Sequence, residues 1–338
     1  MIGFKEIHVT DQGPIFIGGV ERSGTSLLYA LLASHPNLAM TRRTNFFAYF
    51  YNRFGDLSEP ANFERCLAAM MHYKRLVQVR PDSQRIRREF WQGEPTYIRL
   101  FTLLWEHYAE RAGKPRWGDK SLNTERYADV IFKAYPNAKI LQLVRDPRDR
   151  FASALKRWKV IRGGIGSGTA MWLSSTNLAK RNLRRYPDQY KVVRYETLAM
   201  QPEEVLHEVC DFIGEAYTPA MLKMDGAQTF RDDGGNSSYG SYDPGLISTS
   251  SIGRFRQVLS PRMIAFMQSV AGGDMLAYDY ALDAIDLKGK DRAAFTLVDW
   301  PVNLARLAAW NTRETLLDRT GRSIPSNRIL SEAVDAAA

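Results

Sequence analysis

The fold of this chain is decided by the stretch IFIGGVERSGTSLL, which runs from Ile15 to Leu28. Its apolar beginning predicts a buried strand, and a turn rich in glycine and small hydroxyl residues follows. Leucines at positions 27, 28, 31 and 32 then recur with the spacing of a helix. A strand, a tight loop and a helix N-terminus in this order favour phosphate binding, because free backbone N–H groups and the positive end of the helix dipole point to one place.

The loop departs from the P-loop of triphosphate-binding proteins at one position. Gly19 and Gly24 have the spacing of the two P-loop glycines, and Ser26 stands at the Ser/Thr position. Thr25 replaces the P-loop lysine, and a cation stands inside the loop instead, at Arg22. The loop therefore predicts a site for a phosphate-like group that differs from a triphosphate. A plain strand-to-helix turn without a ligand is the alternative.

Composition limits the class of protein. The chain has 338 residues, is 45% hydrophobic, and carries 46 Lys and Arg against 37 Asp and Glu, a net charge of +9. The apolar content suffices for a large core, and the basic balance favours an anionic ligand. Nucleic acid is not predicted as the partner, because the aromatic residues are not interleaved with Lys and Arg as in stacking platforms.

Cysteine usage and the lack of a long apolar segment in the sequence predict the cellular location. The two cysteines, Cys66 and Cys210, lie far apart in the sequence, which argues against a disulfide framework. No signal peptide or membrane span is visible, so we expect a cytoplasmic protein. The five histidines lack the spacing of metal ligands, and no metal site is predicted.

Strands alternating with helices predict an α/β fold with a P-loop-like, three-layer α/β/α arrangement around a mostly parallel sheet. Residues 1–286 are interpreted as one domain and residues 287–338 as a helical C-terminal appendage, which can pack on the body or pair with a second copy. The predicted strands are about Pro14–Gly19, Trp117–Ser121, Ala138–Val144 and Lys191–Tyr195. Gly163–Gly168 is predicted to be a flexible loop, and Asp225–Ser251 a binding lid or a disordered loop.

A second candidate anion site follows the strand that ends at Val144. Arg145 stands at the strand end, and Ser153 and Arg157 lie one turn apart on one face of the next helix. Ligands of parallel sheets bind at the carboxyl ends of the strands, where the Arg22 loop also lies. Two guanidinium groups and a hydroxyl can therefore converge on a second phosphate.

With both sites present, the chain resembles the sulfotransferases that use 3′-phosphoadenosine-5′-phosphosulfate (PAPS), over roughly Pro14 to Tyr280. It is most similar to bacterial members related to tyrosylprotein sulfotransferases. The segments that carry the resemblance are Gly18–Ser26 with His35-Pro36, Pro136–Arg148 with Ser153, Tyr195-Glu196 with Leu198, and Ser250–Arg256.

The resemblance implies roles for individual residues. Arg22 would bridge the 5′-phosphate and the sulfonate, and Ser23, Gly24, Thr25 and Ser26 would cradle the 5′-phosphate. The 3′-phosphate would be held by Arg145, Ser153 and Arg157. Further nucleotide contacts would come from Tyr195, Ser251 and Arg254, and Lys120 would act beside the acceptor. PAPS would be the co-substrate and PAP the product, with no metal.

One position breaks the family pattern. Arg43 stands where related enzymes have a glutamate that serves as general base, and an arginine cannot accept a proton near neutral pH. Either the base comes from elsewhere or the acceptor needs none. Glu94 and, after it, Asp119 are the candidate bases, with His35 and His107 as further ones. Arg42 and Arg43 can instead meet an anionic acceptor or lie in solvent.

Two other functions stay open at this point: a P-loop kinase or NTPase, and a non-catalytic protein that binds the sulfonucleotide. The acceptor is open as well. A carbohydrate hydroxyl is the first expectation, and a peptide tyrosine or a small alcohol or phenol is the alternative. The chain is expected to be a monomer or a homodimer.

Overall fold

The computed structural model of the chain describes residues 12–158, 161, 163–237 and 247–320. Within these residues, five strands form one sheet in the order β2-β3-β1-β4-β5, and all neighbours are parallel. The strands are β1 (Ile15–Gly18), β2 (Leu38–Arg42), β3 (Arg116–Lys120), β4 (Lys139–Val144) and β5 (Tyr190–Arg194). Because β1 is central, the loop that follows it opens between the ends of β3 and β4.

The sheet is covered on both faces. Phe16 and Ile140 pack into one apolar cluster, whereas Ile17 and Leu141, the next residues along the same strands, pack into another. Successive side chains of a strand point to opposite faces, so the two clusters are the two layers that enclose the sheet. The predicted fold class, a three-layer arrangement around a parallel sheet, is confirmed.

Helices supply the outer layers. The α-helices are α1 (Thr25–Ala33), α2 (Phe46–Tyr49), α3 (Pro60–His72), α4 (Ser83–Phe90), α5 (Tyr97–Arg111), α6 (Ala128–Ala134), α7 (Pro147–Arg157), α8 (Gly164–Arg185), α9 (Tyr195–Met200), α10 (Pro202–Ile213), α11 (Gln228–Asp232), α12 (Phe255–Val258), α13 (Pro261–Ala277), α14 (Gly289–Ala294) and α15 (Trp300–Thr320). None of the helices in the described ranges has both the length and the apolar character that crossing a bilayer demands.

Strand β2 was not predicted from the sequence. Its five residues follow directly on the turn that ends α1, and the run LAMTR has neither clear alternation nor a long apolar core. Its first four residues are nevertheless buried, because β2 pairs with β3 along its whole length. Tertiary pairing, rather than local pattern, makes this strand.

The prediction of a flexible loop at Gly163–Gly168 is wrong, because α8 begins at Gly164. A Cβ atom on Gly166 would lie 2.2 Å from the carbonyl oxygen of Asn303, and one on Gly168 would lie 2.5 Å from the ring of Phe151. These glycines therefore allow other elements to approach α8 closely.

The C-terminal segment 289–320 is helical throughout and packs on α8. Its middle, Phe295–Asp299, forms a π-helical turn between α14 and α15. Arg126, which precedes α6, forms an ion pair with Glu314 of α15, with 2.9 Å between Nη2 and Oε2. The predicted helical appendage is thus present and lies against the body, whereas the division at residue 287 stays a prediction.

Candidate functional site

A cleft of about 330 Å³ opens at the carboxyl ends of β1, β3 and β4. We call it the arginine cleft. Its described lining residues are Glu21, Arg22, Gly24, Thr25, Ser26, Leu27, Arg43, Lys120, Leu122, Arg145, Arg157, Trp158, Tyr195, Phe230, Gly235 and Asn236. Four arginines and a lysine face a single carboxylate, that of Glu21, so this surface attracts anions.

The loop between β1 and α1 is held in a tight conformation. Gly24 precedes α1 with a φ of 92°, and a Cβ atom there would lie 2.2 Å from the ring of Tyr195. Only glycine meets both demands. At the other end of the loop, the Gly19 N–H donates a hydrogen bond of 2.8 Å to the buried carboxylate of Glu125. The first N–H groups of α1 are thereby presented to the cleft.

Two arginines join this loop to the segment after β4. The Arg22 guanidinium donates to the Ser153 hydroxyl at 3.0 and 2.9 Å, although Ser153 belongs to α7. Arg145 donates through Nη1 to the carbonyl oxygen of Arg22 at 3.1 Å, and through Nη2 to that of Ser251 at 2.9 Å. Arg22, Arg145 and Ser153, three of the residues predicted for the two phosphates, therefore form one connected group.

Tyr195 lies beneath this group. The Arg145 guanidinium stacks over its ring at 4.3 Å, and its hydroxyl hydrogen-bonds the Ser251 hydroxyl at 2.9 Å. The Asn236 amide donates to the Tyr195 hydroxyl and also pairs with the backbone N–H and carbonyl of Ser248. Asn236 thereby ties together the two described parts of the segment predicted as a lid, whose residues 238–246 lie outside the described part of the chain.

Two donor groups at the site have no hydrogen-bond acceptor among the described residues. They are Nε of Arg145 and the hydroxyl of Ser23, both buried. A buried donor without a partner is costly, and an anion in the cleft is the kind of group that can satisfy it. The donor set of arginines, hydroxyls and backbone N–H groups suits phosphate or sulfonate oxygens.

Helix α7 fixes the late loop that carries Ser251 and Arg254. Asp149 accepts the backbone N–H groups of Gly253 at 2.6 Å and Phe255 at 2.8 Å. Burial raises the pKa of this carboxyl group. Arg254 is held in this loop but does not line the arginine cleft.

Lys120 occupies the end of β3 with its side chain in the arginine cleft. It is only 3% exposed, and its Nζ lies 3.5 Å from the Ser26 hydroxyl. Burial, followed by the charge of Arg43, lowers the Lys120 pKa to about 7; the adjacent Asp119 opposes the shift. The amine is therefore poised between its charged and neutral forms near neutral pH.

The candidate carboxylate bases are not brought to the cleft. Asp119 is fully buried, and its two oxygens accept the hydroxyls of Thr41, Thr44 and Ser121 at 2.6 to 2.8 Å. Burial raises its pKa, and the carboxylate holds β2 and β3 together. Glu94 is exposed and lines a separate cleft beside Tyr97, which shares no lining residue with the arginine cleft.

The two candidate histidines have structural contacts. His35 hydrogen-bonds the carbonyl oxygen of Ala216 at 2.9 Å and accepts the N–H of Asn37, which fixes the turn after α1. His107 is buried against Glu89 at 2.7 Å and lines a cleft at the opposite edge of the sheet. Neither imidazole lies in the arginine cleft.

The structure also adds residues that the sequence did not single out. Trp158, Phe230 and Asn236 line the cleft from the end of α7, from α11 and from the segment that follows α11. Trp158 directly follows the predicted site residue Arg157, and this position was the only signal in the sequence that could have identified Trp158. Asn236 lies in the segment suspected to be a lid, but nothing in its sequence distinguished it from its neighbours.

The fold and the site together define a P-loop-like α/β protein with a two-part anion site at the carboxyl edge of its sheet. Comparison with known families gives the same result: the model of the Sulfotransferase family matches residues 14–219. The chain belongs to the sulfotransferase family.

Individual relatives are distant. The protein-tyrosine sulfotransferase of Drosophila melanogaster is 26% identical over 214 residues, which are 62% of this chain and 39% of that protein. Protein-tyrosine sulfotransferase 1 of Danio rerio is 26% identical over 226 residues, 64% of this chain and 57% of that protein. The matched part thus spans less than two thirds of the length of either relative.

Two solved structures share the fold. The sulfotransferase domain of the olefin synthase of Synechococcus PCC 7002 has a TM-score of 0.55 and 21% identity, and covers 80% of this chain and 95% of that domain. The sulfotransferase domain from the curacin biosynthetic pathway has a TM-score of 0.53 and 19% identity, and covers 80% of this chain and 99% of that domain. Both agree with the parallel sheet described above.

Proposed function

We propose that this protein transfers a sulfonate group from PAPS to a hydroxyl or amine of an acceptor. One observation carries the proposal: Arg22 of the first loop donates to Ser153 of α7 and accepts, through its carbonyl oxygen, a hydrogen bond from Arg145 of the second element. Two anion-binding elements in one connected group suit a carrier that is phosphorylated at both its 3′ and 5′ positions. A triphosphate needs only the first element.

The contacts support separate roles for the two anion-binding elements. The N–H groups at the start of α1, with Thr25 and Ser26, would bind the 5′-phosphate, and Arg22 would reach from it to the sulfonate. Arg145 would turn from neutral carbonyl oxygens to the 3′-phosphate, which is the stronger acceptor. Ser153 would share that phosphate.

The reaction needs positioning and charge stabilisation. The acceptor oxygen forms a bond to sulfur while the bond from sulfur to the 5′-phosphate oxygen breaks, and the electron pair stays on that phosphate oxygen, giving PAP. Arg22 and protonated Lys120 would stabilise the charge that develops there. The acceptor proton can pass to water or to the neutral fraction of Lys120.

The test compares two nucleotides. PAP should raise the melting temperature of the protein several degrees more than ADP does, because only PAP carries the 3′-phosphate. Arg145→Ala should remove the preference, and Arg88→Ala, an exposed arginine of α4 outside the cleft, should preserve it.

Turnover completes the test. With PAPS and a panel of acceptors, the purified protein should release PAP. A carbohydrate hydroxyl is the first acceptor to test, with phenols and peptide tyrosines alongside. Equal stabilisation by PAP and ADP, or magnesium-dependent ATP hydrolysis, would contradict the proposal in favour of a P-loop NTPase. PAP binding without transfer to any acceptor would indicate a binding protein. A cytoplasmic location stays a prediction.

A further inference from the structure

The side of α15 that points away from the body is apolar. We call it the outer face, and it consists of Val298 from the π-helical turn before α15 and five residues of α15 itself, Val302, Ala305, Ala309, Thr312 and Leu316. All six are exposed, Val298 to 56% and Leu316 to 55%. They recur at alternating intervals of four and three residues, so they form one continuous stripe along the helix. Large apolar side chains that gather in one exposed stripe, instead of being scattered singly, mark an interaction surface.

The opposite side of α15 is the one that packs on the body. Asn303 is buried, and its backbone lies against Gly166 of α8. Trp310 and Glu314 line a small cavity together with Ser175 of α8. In a helix of 3.6 residues per turn, residues 303, 310 and 314 lie on the side opposite to the outer face. Within the described residues, the body thus covers one side of α15 and leaves the outer face exposed.

The outer face can match a copy of itself. Its residues are arranged symmetrically about Leu307, at two, five and nine positions on either side of it. When two such helices pair in antiparallel orientation around a two-fold axis, Ala305 of one copy lies opposite Ala309 of the other, and Val298 lies opposite Leu316. Small residues at the centre let the helix axes approach closely, and longer ones close the two ends. A two-fold interface requires such a patch, because each copy contributes the same surface.

Polar groups on and beside the outer face already have partners. The Thr312 hydroxyl donates to the carbonyl oxygen of Ala308 at 3.0 Å, so burial of Thr312 leaves no donor without an acceptor. Arg306, which flanks the face, turns back to the Asn303 side chain at 3.3 Å. A second helix can therefore cover the face without leaving a buried donor unpaired, which would oppose association.

We propose that α15 pairs with α15 of a second copy of this chain, in antiparallel orientation around a two-fold axis at Leu307. The outer face is about 27 Å long from Val298 to Leu316, at 1.5 Å per residue. Leu297, 74% exposed, and Leu304 widen it on one side. Two copies would together bury on the order of 1,200 Å² of surface, which is within the size of a stable protein interface. Pairing through α15 leaves the arginine cleft open, because no residue of the outer face lines it.

A membrane surface fits the outer face less well than a second copy does. Helices that lie in a membrane surface carry tryptophan or phenylalanine on their apolar side and are rich in lysine and arginine on the other. The outer face has alanines at its centre, and Trp310 faces the body instead. Between Trp300 and Leu317 the chain has two arginines and no lysine. These features favour protein over lipid as the partner.

The first measurement is the mass of the full chain in solution. Light scattering after size-exclusion chromatography should give twice the 38.5 kDa of one chain at a protein concentration of about 100 μM. Ala309→Glu places a charge at the centre of the pair and should raise the dimer dissociation constant about tenfold or more. Ala68→Glu, at an exposed alanine of α3, should leave the dimer unchanged. Circular dichroism should show the same helix content in both variants.

A double variant tests the antiparallel orientation. Ala305→Lys alone should also weaken the dimer, whereas Ala305→Lys combined with Ala309→Glu should restore it, because opposite charges of the two copies then face each other. A parallel pair would set like charges against each other, so failure of the double variant to pair would overturn the antiparallel arrangement. A monomeric wild type, or a dimer that survives Ala309→Glu, overturns the inference. Binding of a monomeric wild type to vesicles of phosphatidylcholine and phosphatidylserine, lost in Ala309→Glu, would assign the outer face to lipid instead.

Discussion

At the scale of the residue, Lys120 links stability to function. An unfolded chain titrates lysine near its ordinary pKa of about 10.4, whereas burial lowers the Lys120 pKa in the fold to about 7. Below pH 7 the fold therefore holds a charged amine that it disfavours. Between these two pKa values the unfolded chain binds more protons, so this residue's contribution to the free energy of unfolding increases with pH.

A methionine at this position tests both halves of the argument. Lys120→Met should raise the melting temperature at pH 6 and raise it less at pH 10, because the folded amine is neutral at pH 10 and most of the penalty has been lost as the pH approaches the pKa of the unfolded chain. The same variant should lower kcat for PAP release about a hundredfold, as a lost charge-stabilising donor does. Scanning calorimetry at the two pH values and a turnover assay give the measurements. A pH-independent gain in melting temperature would show that burial of charge is not the cause.

The sequence predicted that Lys120 belongs to the site but did not predict that the adjacent Asp119 is buried away from it. Order along the chain suffices to place Arg22, Lys120 and Arg145 at one edge of the sheet, because the carboxyl ends of parallel strands lie together. Order along the chain does not tell whether a side chain at the end of a strand faces the cleft or forms hydrogen bonds with neighbouring segments. Asp119 and Lys120 are adjacent, yet the carboxylate is occupied by three hydroxyls while the amine faces the cleft.

At the scale of the element, the phosphate-binding loop depends on a carboxylate from another segment. Glu125, which lies within the 3₁₀ helix Thr124–Tyr127, accepts the Gly19 N–H at 2.8 Å and the Ser175 hydroxyl at 2.6 Å. A Cβ atom on Gly18 would lie 3.0 Å from the same carboxylate, so a glycine at that position leaves room for it. Glu125 therefore positions the loop from behind without touching the ligand.

Replacing Glu125 should weaken nucleotide binding although Glu125 does not line the arginine cleft. Glu125→Ala leaves the Gly19 N–H without a partner and the Ser175 hydroxyl without an acceptor, although that hydroxyl still accepts from Gln142. The loss costs about 2 to 4 kcal/mol of stability and should raise the Kd for PAP. Glu125→Gln keeps an acceptor for Gly19 and should recover most of the PAP affinity. Isothermal titration of PAP into both variants measures this.

A control separates loop positioning from general destabilisation. Glu215 pairs with Arg116 at 3.1 Å near the opposite edge of the sheet. Glu215→Ala should lower the melting temperature without changing the Kd for PAP. Wild-type PAP affinity in Glu125→Ala would refute the positioning role.

Elements were predictable where local chemistry determines them. Asp82 and Thr96 belong to the residue types that favour helix starts. Asp82 accepts two backbone N–H groups of the first turn of α4, and Thr96 accepts one of α5. Strand β2 and the start of α8 were not found, because both depend on partners that are distant in sequence. A run of glycines has the local sequence of a loop. Only the elements that pack against these glycines show why α8 begins without side chains at these positions.

At the scale of the whole molecule, the C-terminal helix α15 is part of the packed body. A glycine of α8 makes this possible, because it has no side chain to keep the two helices apart. Gly166 allows the Asn303 backbone of α15 to approach α8, since a Cβ atom would lie 2.2 Å from the Asn303 carbonyl oxygen. The Arg126–Glu314 ion pair adds a polar contact from the segment next to Glu125. Packing of α15 is therefore coupled in space to the support of the phosphate-binding loop.

A pair of glycine substitutions in two helices tests this docking. Gly166→Ala should destabilise the protein by about 1 to 3 kcal/mol, because the added methyl group must push α15 away from α8. Gly273, in α13, is exposed and has no atom within 4 Å of an added Cβ. Gly273→Ala should therefore be neutral or stabilise by up to about 1 kcal/mol through helix propensity. Chemical denaturation measures both values, and limited proteolysis should cut α15 earlier in Gly166→Ala alone. Equal stability of the two variants would mean that the C-terminal helix does not depend on this contact.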